Sequence, residues 1–346
     1  MSTRDLDIVG AGEENEFASY RPVPFERAWW LRGVHAQTVG GRQLRRYDRE
    51  PLRSERIELP DGDFVDLDEG PESLPEDAPV VLALHGLEGC SGSNYMSTVA
   101  RELAAVGIRT LRLNFRGCSG EMNRLARFYH AGDTGDVAFV ANLLWERHAS
   151  RPMGLVGFSL GGNVLLKYLG EQGDEARQRF RSAAAVSVPF DLVEGTRKLE
   201  RGVMGRLYTL YFIRKLRRKM RAKREMLRNL CDVDAALAAW TIRAYDEAAT
   251  AQLHDFESAW HYYESSSAKH LMHRIRTLTL VIHAMDDPFL PSTAVPVEAV
   301  RENPWLIDAI TPNGGHVGFV TGSPFRPVFW AEREVARFMA ATLKAR

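Results

Sequence analysis

The pattern of apolar and polar positions divides the chain into alternating strand-like and helix-like segments with one long interruption. Residues 56–67 (RIELPDGDFVDL) carry two alternating runs about Asp61-Gly62, the pattern of a hairpin. Glu69–Pro79 reads as a Pro- and acid-rich loop. Val80–Leu84 is a short unbroken apolar run, which suits a strand buried on both faces. Tyr95–Val106 has helical spacing and ends at Gly107, and Ile108–Phe115 is the next strand. Asp133–His148 reads as a helix, Met153–Phe158 as a strand, Gly161–Leu169 as a helix and Ala183–Val188 as a strand. Leu278–Ala284 and Trp305–Thr311 supply two later strands, and Val328–Leu343 a closing helix. Strands and helices taking turns in this way predict a mostly parallel central sheet flanked by helices on both faces.

The interruption lies between residues 190 and 275, where only helical pattern is found. The expected organisation is a polar N-terminal extension (1–55) packing on the core, with one aromatic knot at Trp29, Trp30 and Leu31, a core formed by 56–189 and 276–346, and a helical cap insertion at 190–275. Within the insertion, residues 206–228 place Leu207, Leu210, Ile213, Leu216 and Met220 three or four apart. Ten Lys and Arg residues lie among them or just beyond: Arg206, Arg214, Lys215, Arg217, Arg218, Lys219, Arg221, Lys223, Arg224 and Arg228. Such a basic amphipathic helix has three readings: a solvated face, contact with an anionic membrane surface, or contact with a second subunit.

Composition narrows the class. Lys plus Arg and Asp plus Glu number 45 each, so the formal net charge is zero and nothing points to a nucleic-acid partner. Cys90, Cys118 and Cys231 form no CxxC pair and indicate neither a disulfide framework nor a zinc ribbon. The first residues are polar and acidic, and no run approaches the roughly 18 apolar residues of a membrane span, so a soluble cytoplasmic protein is expected. No phosphate-binding glycine motif follows a strand, which leaves nucleotide cofactors unsupported. His270 and His273 have no third ligand nearby in sequence, so no metal site is expected. Cys118 lacks a base of its own.

One pattern carries chemistry. Gly157-Phe158-Ser159-Leu160-Gly161 is a G-x-S-x-G that follows an expected strand and opens an expected helix. A serine there sits on a strained turn above the sheet edge, and side chains two before and two after it would collide. The Leu160 N–H, at the helix N-terminus, can donate to an oxyanion. A serine hydroxyl needs a base and an orienting acid, which in this arrangement follow in the order acid, then histidine. His316 lies in a glycine-rich loop (NGGHVGF) after the last expected strand. Asp287 lies in MDDPFLP directly after another strand, with Asp286 competing and read as a turn residue. The second oxyanion donor is expected from the loop after Val80–Leu84, at the Leu87 N–H. His85 is expected to brace that loop.

With these residues located, the chain resembles the YheT-like branch of the α/β hydrolases, relatives of the animal ABHD1/ABHD3-type lipid hydrolases. The motifs that carry the likeness run through nearly the whole chain: WWLRGVHAQT, HGLEGCSGSNYM, NFRGCSGEMNR, YHAGDTGDV, GFSLGGNVLLKYLGE, YYESSS, HAMDDPF and GGHVGF. The pattern departs from many relatives at Arg276-Thr277, where they carry Pro-Thr. The resemblance implies an α/β-hydrolase fold, a charge-relay triad matched here by Ser159, Asp287 and His316, and hydrolysis of a small-molecule carboxylic ester without a cofactor. Thioester or amide hydrolysis by the same triad, and a catalytically silent binding protein on this scaffold, are the rival readings. Dehalogenation is disfavoured because it would require a carboxylate at the elbow.

Overall fold

The computed structural model describes residues 20–45, 51–70, 73–148 and 151–344. Its centre is an eight-stranded sheet in the order β1-β2-β4-β3-β5-β6-β7-β8. The strands are β1 (Arg53–Glu58), β2 (Phe64–Glu69), β3 (Val80–Leu84), β4 (Arg109–Asn114), β5 (Met153–Phe158), β6 (Ser182–Val186), β7 (Leu278–Ala284) and β8 (Leu306–Thr311). β1 and β2 form the expected hairpin, and β2 meets β4 antiparallel. The other pairings are parallel.

The unbroken apolar runs have a simple cause. Val80, Leu82 and Leu84 of β3 pack with Val137, Val140 and Leu144 of helix α2 (Gly135–Arg147) and with Val164 and Leu165 of α3 (Leu160–Gln172). Val81 and Ala83 point to the opposite face, against Met96, Val99 and Leu103 of α1 (Asn94–Ala105). With helices on both faces, neither side of the strand tolerates a polar residue.

The segment between β6 and β7 contains no strand among the described residues. It includes α4 (Leu192–Leu199), α5 (Gly202–Ala222) and α6 (Ala259–Ser266). It has an apolar cluster of its own, centred on Ile213, Met220, Leu227 and Tyr245. The basic helix differs from the 206–228 expectation. It ends at Ala222, and Arg224–Leu227 forms a separate short turn. The break follows from Lys223, whose ammonium is drawn inward to Asn123 Oδ1 at 2.7 Å and to the Leu125 carbonyl. The buried stripe is Gly205, Thr209, Ile213 and Met220, while Leu207 faces outward at 53% exposure.

The closing helix does not begin at Val328 as expected: Val328 and Phe329 end strand β10 (Arg326–Phe329), which pairs with β9 (Val320–Ser323). The helix α7 (Trp330–Leu343) begins after it. The N-terminal stretch lies along this hairpin and helix. The Ala28 N–H donates to the Val320 carbonyl at 3.0 Å, Trp30 Nε1 to the Gly322 carbonyl at 2.9 Å, and the Tyr20 hydroxyl to Glu334 Oε1 at 2.7 Å. Trp29 points to solvent, and the expectation for residues 1–19 and 46–50 lies outside the described residues. No helix among the described residues is long and apolar enough to cross a membrane.

Candidate active site

Ser159 is the single residue between β5 and α3, and its backbone is at φ 53°, ψ −122°. A non-glycine residue in this region is strained by about 1–3 kcal/mol, so the surroundings must hold it there. The Ser159 N–H donates to the Val186 carbonyl at 2.8 Å, and the Ser159 carbonyl accepts from the N–H groups of Gly162 and Asn163. The flanking glycines are required by the closeness of backbone to backbone. A Cβ on Gly157 would stand 2.5 Å from the Gly161 carbonyl oxygen, and one on Gly161 would stand 2.5 Å from the His85 carbonyl oxygen.

The structure brings the three expected side chains together. His316 Nε2 lies 2.8 Å from Ser159 Oγ, and His316 Nδ1 lies 2.8 Å from Asp287 Oδ2. Asp287 is fully buried and also accepts the Phe289 N–H at 2.7 Å through Oδ1. Burial pushes its carboxyl pKa upward, but the adjacent His316, His283 and the Phe289 N–H outweigh burial, and the net direction is downward. Asp287 is thus held as a carboxylate. Asp286 does a different job: its Oδ1 accepts the Gly315 N–H at 2.9 Å and braces the histidine loop.

Several residues that hold this arrangement carried no local signal in the sequence. The His316 N–H donates to Thr38 Oγ1 at 2.9 Å, and the Val317 N–H donates to Ser187 Oγ at 2.9 Å. Gln37 accepts the Val320 N–H at 2.7 Å and donates back to the Val320 carbonyl. The N-terminal extension therefore clamps the loop that carries His316. Phe289 stacks on the imidazole with ring centres 4.1 Å apart and planes 22° apart. Lys198 of α4 donates to the carbonyls of Asp287 and Leu290 at 2.7 and 2.9 Å. Gln37 and Thr38 stand in the WWLRGVHAQT motif, the one hint that this stretch mattered.

The oxyanion-donor expectations can be placed as well. Leu160 is the first residue of α3, where a helix leaves its N–H groups without intrahelical acceptors. In the loop after β3, the Gly86 N–H donates to the Tyr95 hydroxyl, the Glu88 N–H to the Tyr129 hydroxyl and the Gly89 N–H to the Gly86 carbonyl. The Leu87 N–H has no acceptor among the described residues. Gly86 is needed here, because a Cβ on it would stand 2.9 Å from Ser159 Cβ. His85 is fully buried, with Nδ1 2.8 Å from the Gly86 carbonyl and Nε2 accepting the Phe115 N–H at 3.3 Å. Burial depresses its pKa to about 3, so it is a neutral loop brace.

A cavity with about 1000 Å³ of empty space, including its open mouth, runs from Ser159 into the β6–β7 helices. Leu87, Leu160, Leu199, Phe212, Leu216 and Phe289 make it predominantly apolar. Three of the ten cations expected on a basic face turn toward the core. Lys219 Nζ reaches Glu88 Oε1 at 2.7 Å, Lys215 Nζ reaches the Glu88 carbonyl at 2.8 Å, and Lys223 is buried as described above. Cys118 accepts a hydrogen bond from Lys219, and burial pushes its thiol pKa up to about 11, which keeps it protonated. His270 sits beside Glu264 at 3.1 Å. Among the described residues, no three His, Cys, Asp or Glu side chains are grouped to hold a metal ion.

Comparison with known proteins agrees with this architecture. Residues 79–323 match the family model described as the alpha/beta hydrolase fold. The chain belongs to the α/β-hydrolase family. YheT of Escherichia coli (strain K12), a protein named as an esterase, is 33% identical over 338 residues, covering 96% of this chain and 97% of that protein. Phospholipase ABHD3 of Mus musculus is 29% identical over 298 residues, covering 84% of this chain and 72% of that one. The Pyrococcus furiosus esterase Pf2001 shares the α/β-hydrolase fold with a TM-score of 0.54 at 14% identity, covering 93% of this chain and 100% of that chain. Such relatives support a hydrolase acting on esters.

Proposed function

We propose that the chain is a carboxylic-ester hydrolase working through Ser159, His316 and Asp287 and an acyl-enzyme intermediate. The observation that carries the reading is the pair of 2.8 Å contacts joining Asp287 to His316 and His316 to Ser159. In this reading Ser159 Oγ attacks the ester carbonyl while His316 Nε2 takes its proton. The Asp287 carboxylate orients the imidazole and stabilises the imidazolium that forms. Charge developing on the carbonyl oxygen is met by the N–H groups of Leu160 and Leu87. His316 returns its proton to the leaving alcohol, and water, activated by the same imidazole, then releases the acid.

The helices at residues 190–275 act in this reading as a cap on the core of 56–189 and 276–346, and the apolar cavity beneath them takes an acyl or lipid ester. Relatives named as esterase and phospholipase support that substrate class. The test is hydrolysis of p-nitrophenyl esters of increasing chain length by the wild type and by Ser159→Ala. The expected result is a preference for longer chains and a loss of about four to six orders of magnitude in kcat in the variant. Equal turnover by Ser159→Ala would refute the relay. A preference for thioesters or amides would move the substrate class while keeping the chemistry.

The cap also favours contact with an anionic membrane surface. Arg206, Arg214, Arg218 and Arg221 of α5 are exposed, as are Val203, Leu207 and the nearby Trp240. Cations beside exposed apolar side chains suit a lipid headgroup region. Co-sedimentation with vesicles containing phosphatidylserine, strong at low salt and lost at high salt, is the expected result. Equal sedimentation with neutral vesicles would refute it.

A further inference from the structure

The loop after β3 is fixed as a relay of peptide groups. A trans peptide points its C=O and N–H in opposite directions, so whatever holds a carbonyl also aims the N–H that follows it. The Gly86 carbonyl accepts from His85 Nδ1 at 2.8 Å and from the Gly89 N–H at 3.0 Å. The Leu87 N–H belongs to the same peptide and is turned the other way. The Gly89 N–H in turn shares its peptide with the Glu88 carbonyl, which accepts from Lys215 Nζ at 2.8 Å. Lys215 therefore stands at the outer end of the relay and the Leu87 N–H at the inner end.

Glu88, in the middle, is a non-glycine residue at φ 53°. Such a conformation persists only where the surroundings over-determine it. Three contacts do so. The Tyr129 hydroxyl accepts the Glu88 N–H at 2.7 Å and faces Glu88 Oε1 at 3.2 Å, and Lys219 Nζ donates to the same carboxylate oxygen at 2.7 Å. The Glu88 side chain is 3% exposed and that of Lys219 is 14% exposed, so the ion pair is poorly screened. Lys215 and Lys219 are one turn apart on α5, and both come from outside the core.

We propose that Lys215 and Lys219 are positioning residues for the oxyanion donor: through Glu88, the cap helix aims the Leu87 N–H, and the donor pair is complete only when the cap is seated. The inference rests on the ester-hydrolase reading for its chemistry, but not for the loop geometry. It also gives two of the lysines a task that their place in a basic amphipathic helix concealed. A purely structural role would lower stability and substrate affinity without a selective effect on the chemical step.

The test uses the full chain with Lys215→Met, Lys219→Met, the double variant and Lys219→Arg. Two quantities are read: kcat and KM for a p-nitrophenyl ester, and hydrogen exchange of peptides spanning residues 85–90. In the double variant kcat is expected to fall about 10- to 100-fold with KM within about twofold, on the scale of weakening one oxyanion donor. Exchange should rise at 85–90 while β5 and α3 keep wild-type protection, and Lys219→Arg should recover most of kcat. Lys215→Met removes only the contact to the Glu88 carbonyl, leaves the Lys219–Glu88 ion pair in place, and keeps the test available if the double variant does not fold. Unchanged exchange, raised exchange with unchanged kcat, or a loss confined to KM would each overturn the proposal. A wild type that cleaves no ester would refute the hydrolase reading, and the exchange measurement would still decide whether the lysines hold the loop.

Discussion

Replacing Thr38 by Val tests whether the N-terminal extension is part of the active site or only a covering. Thr38 Oγ1 accepts the His316 N–H at 2.9 Å and donates to the Val34 carbonyl at 2.9 Å. Valine keeps the shape and removes the acceptor. His316 is 9% exposed, so its N–H is left without a partner at a place water scarcely reaches. An unsatisfied buried donor costs about 1–3 kcal/mol. The loop can escape this cost only by turning its N–H toward solvent, which carries the imidazole away from Ser159. A displacement of about 1 Å at a reacting group lowers the rate on the order of 100-fold. Thr38→Val is therefore expected to lose between about 10- and 100-fold in kcat, with a lowered melting temperature, whereas Thr38→Ser keeps the oxygen and stays near wild type. The assay is ester hydrolysis under saturating substrate beside a thermal melt. A Thr38→Val protein with wild-type kcat and melting temperature would show that the extension only covers the site.

Two further substitutions probe the packing of the site. Gly86→Ala places a methyl group 2.9 Å from Ser159 Cβ and 3.3 Å from the Phe158 carbonyl oxygen, so about 1–3 kcal/mol of stability should be lost, with kcat falling at least about tenfold; a denaturant titration and kinetics together check this, and a wild-type kcat would count against the packing. His283, on β7 beneath Asp287, is fully buried with neither ring nitrogen hydrogen-bonded among the described residues, and burial depresses its pKa from 6.5 to about 4. The folded chain keeps this imidazole neutral while the unfolded chain takes up a proton. Its contribution to stability is therefore fully present above pH 6.5 and is lost as pH falls toward about 4. The contribution is on the order of 3 kcal/mol, and His283→Leu should flatten that part of the urea-unfolding stability profile; parallel profiles would refute the shift.

The core was legible because its strands are buried on both faces and cannot hide their composition. β3, β5 and β7 begin and end where their apolar runs do. Ser159 was legible for a related reason: its turn leaves no room for Cβ atoms at 157 and 161, and the chain records that as glycine. What local pattern could not show is set by distant partners. The basic helix stops at Ala222 because Lys223 is captured by the 123–127 segment, a hundred residues earlier in the chain. Lys215 and Lys219 look like any solvated cations until the fold brings Glu88 beneath them. The β9–β10 hairpin is only four residues a side, too short for its alternation to stand out beside the helix that follows. Thr38 and Gln37 act on a loop 278 and 283 residues away, and no spacing rule reaches that far.

Under the ester-hydrolase proposal, Ser159 is a nucleophile activated by His316. Labelling of the full chain with a fluorophosphonate probe, followed by peptide mass spectrometry, reads this directly. One adduct per chain on the peptide containing Ser159 is expected, absent in Ser159→Ala and slowed at least about 100-fold in His316→Ala. Rapid labelling of Ser159 without His316, or no labelling of Ser159 in a protein that still hydrolyses esters, would contradict it.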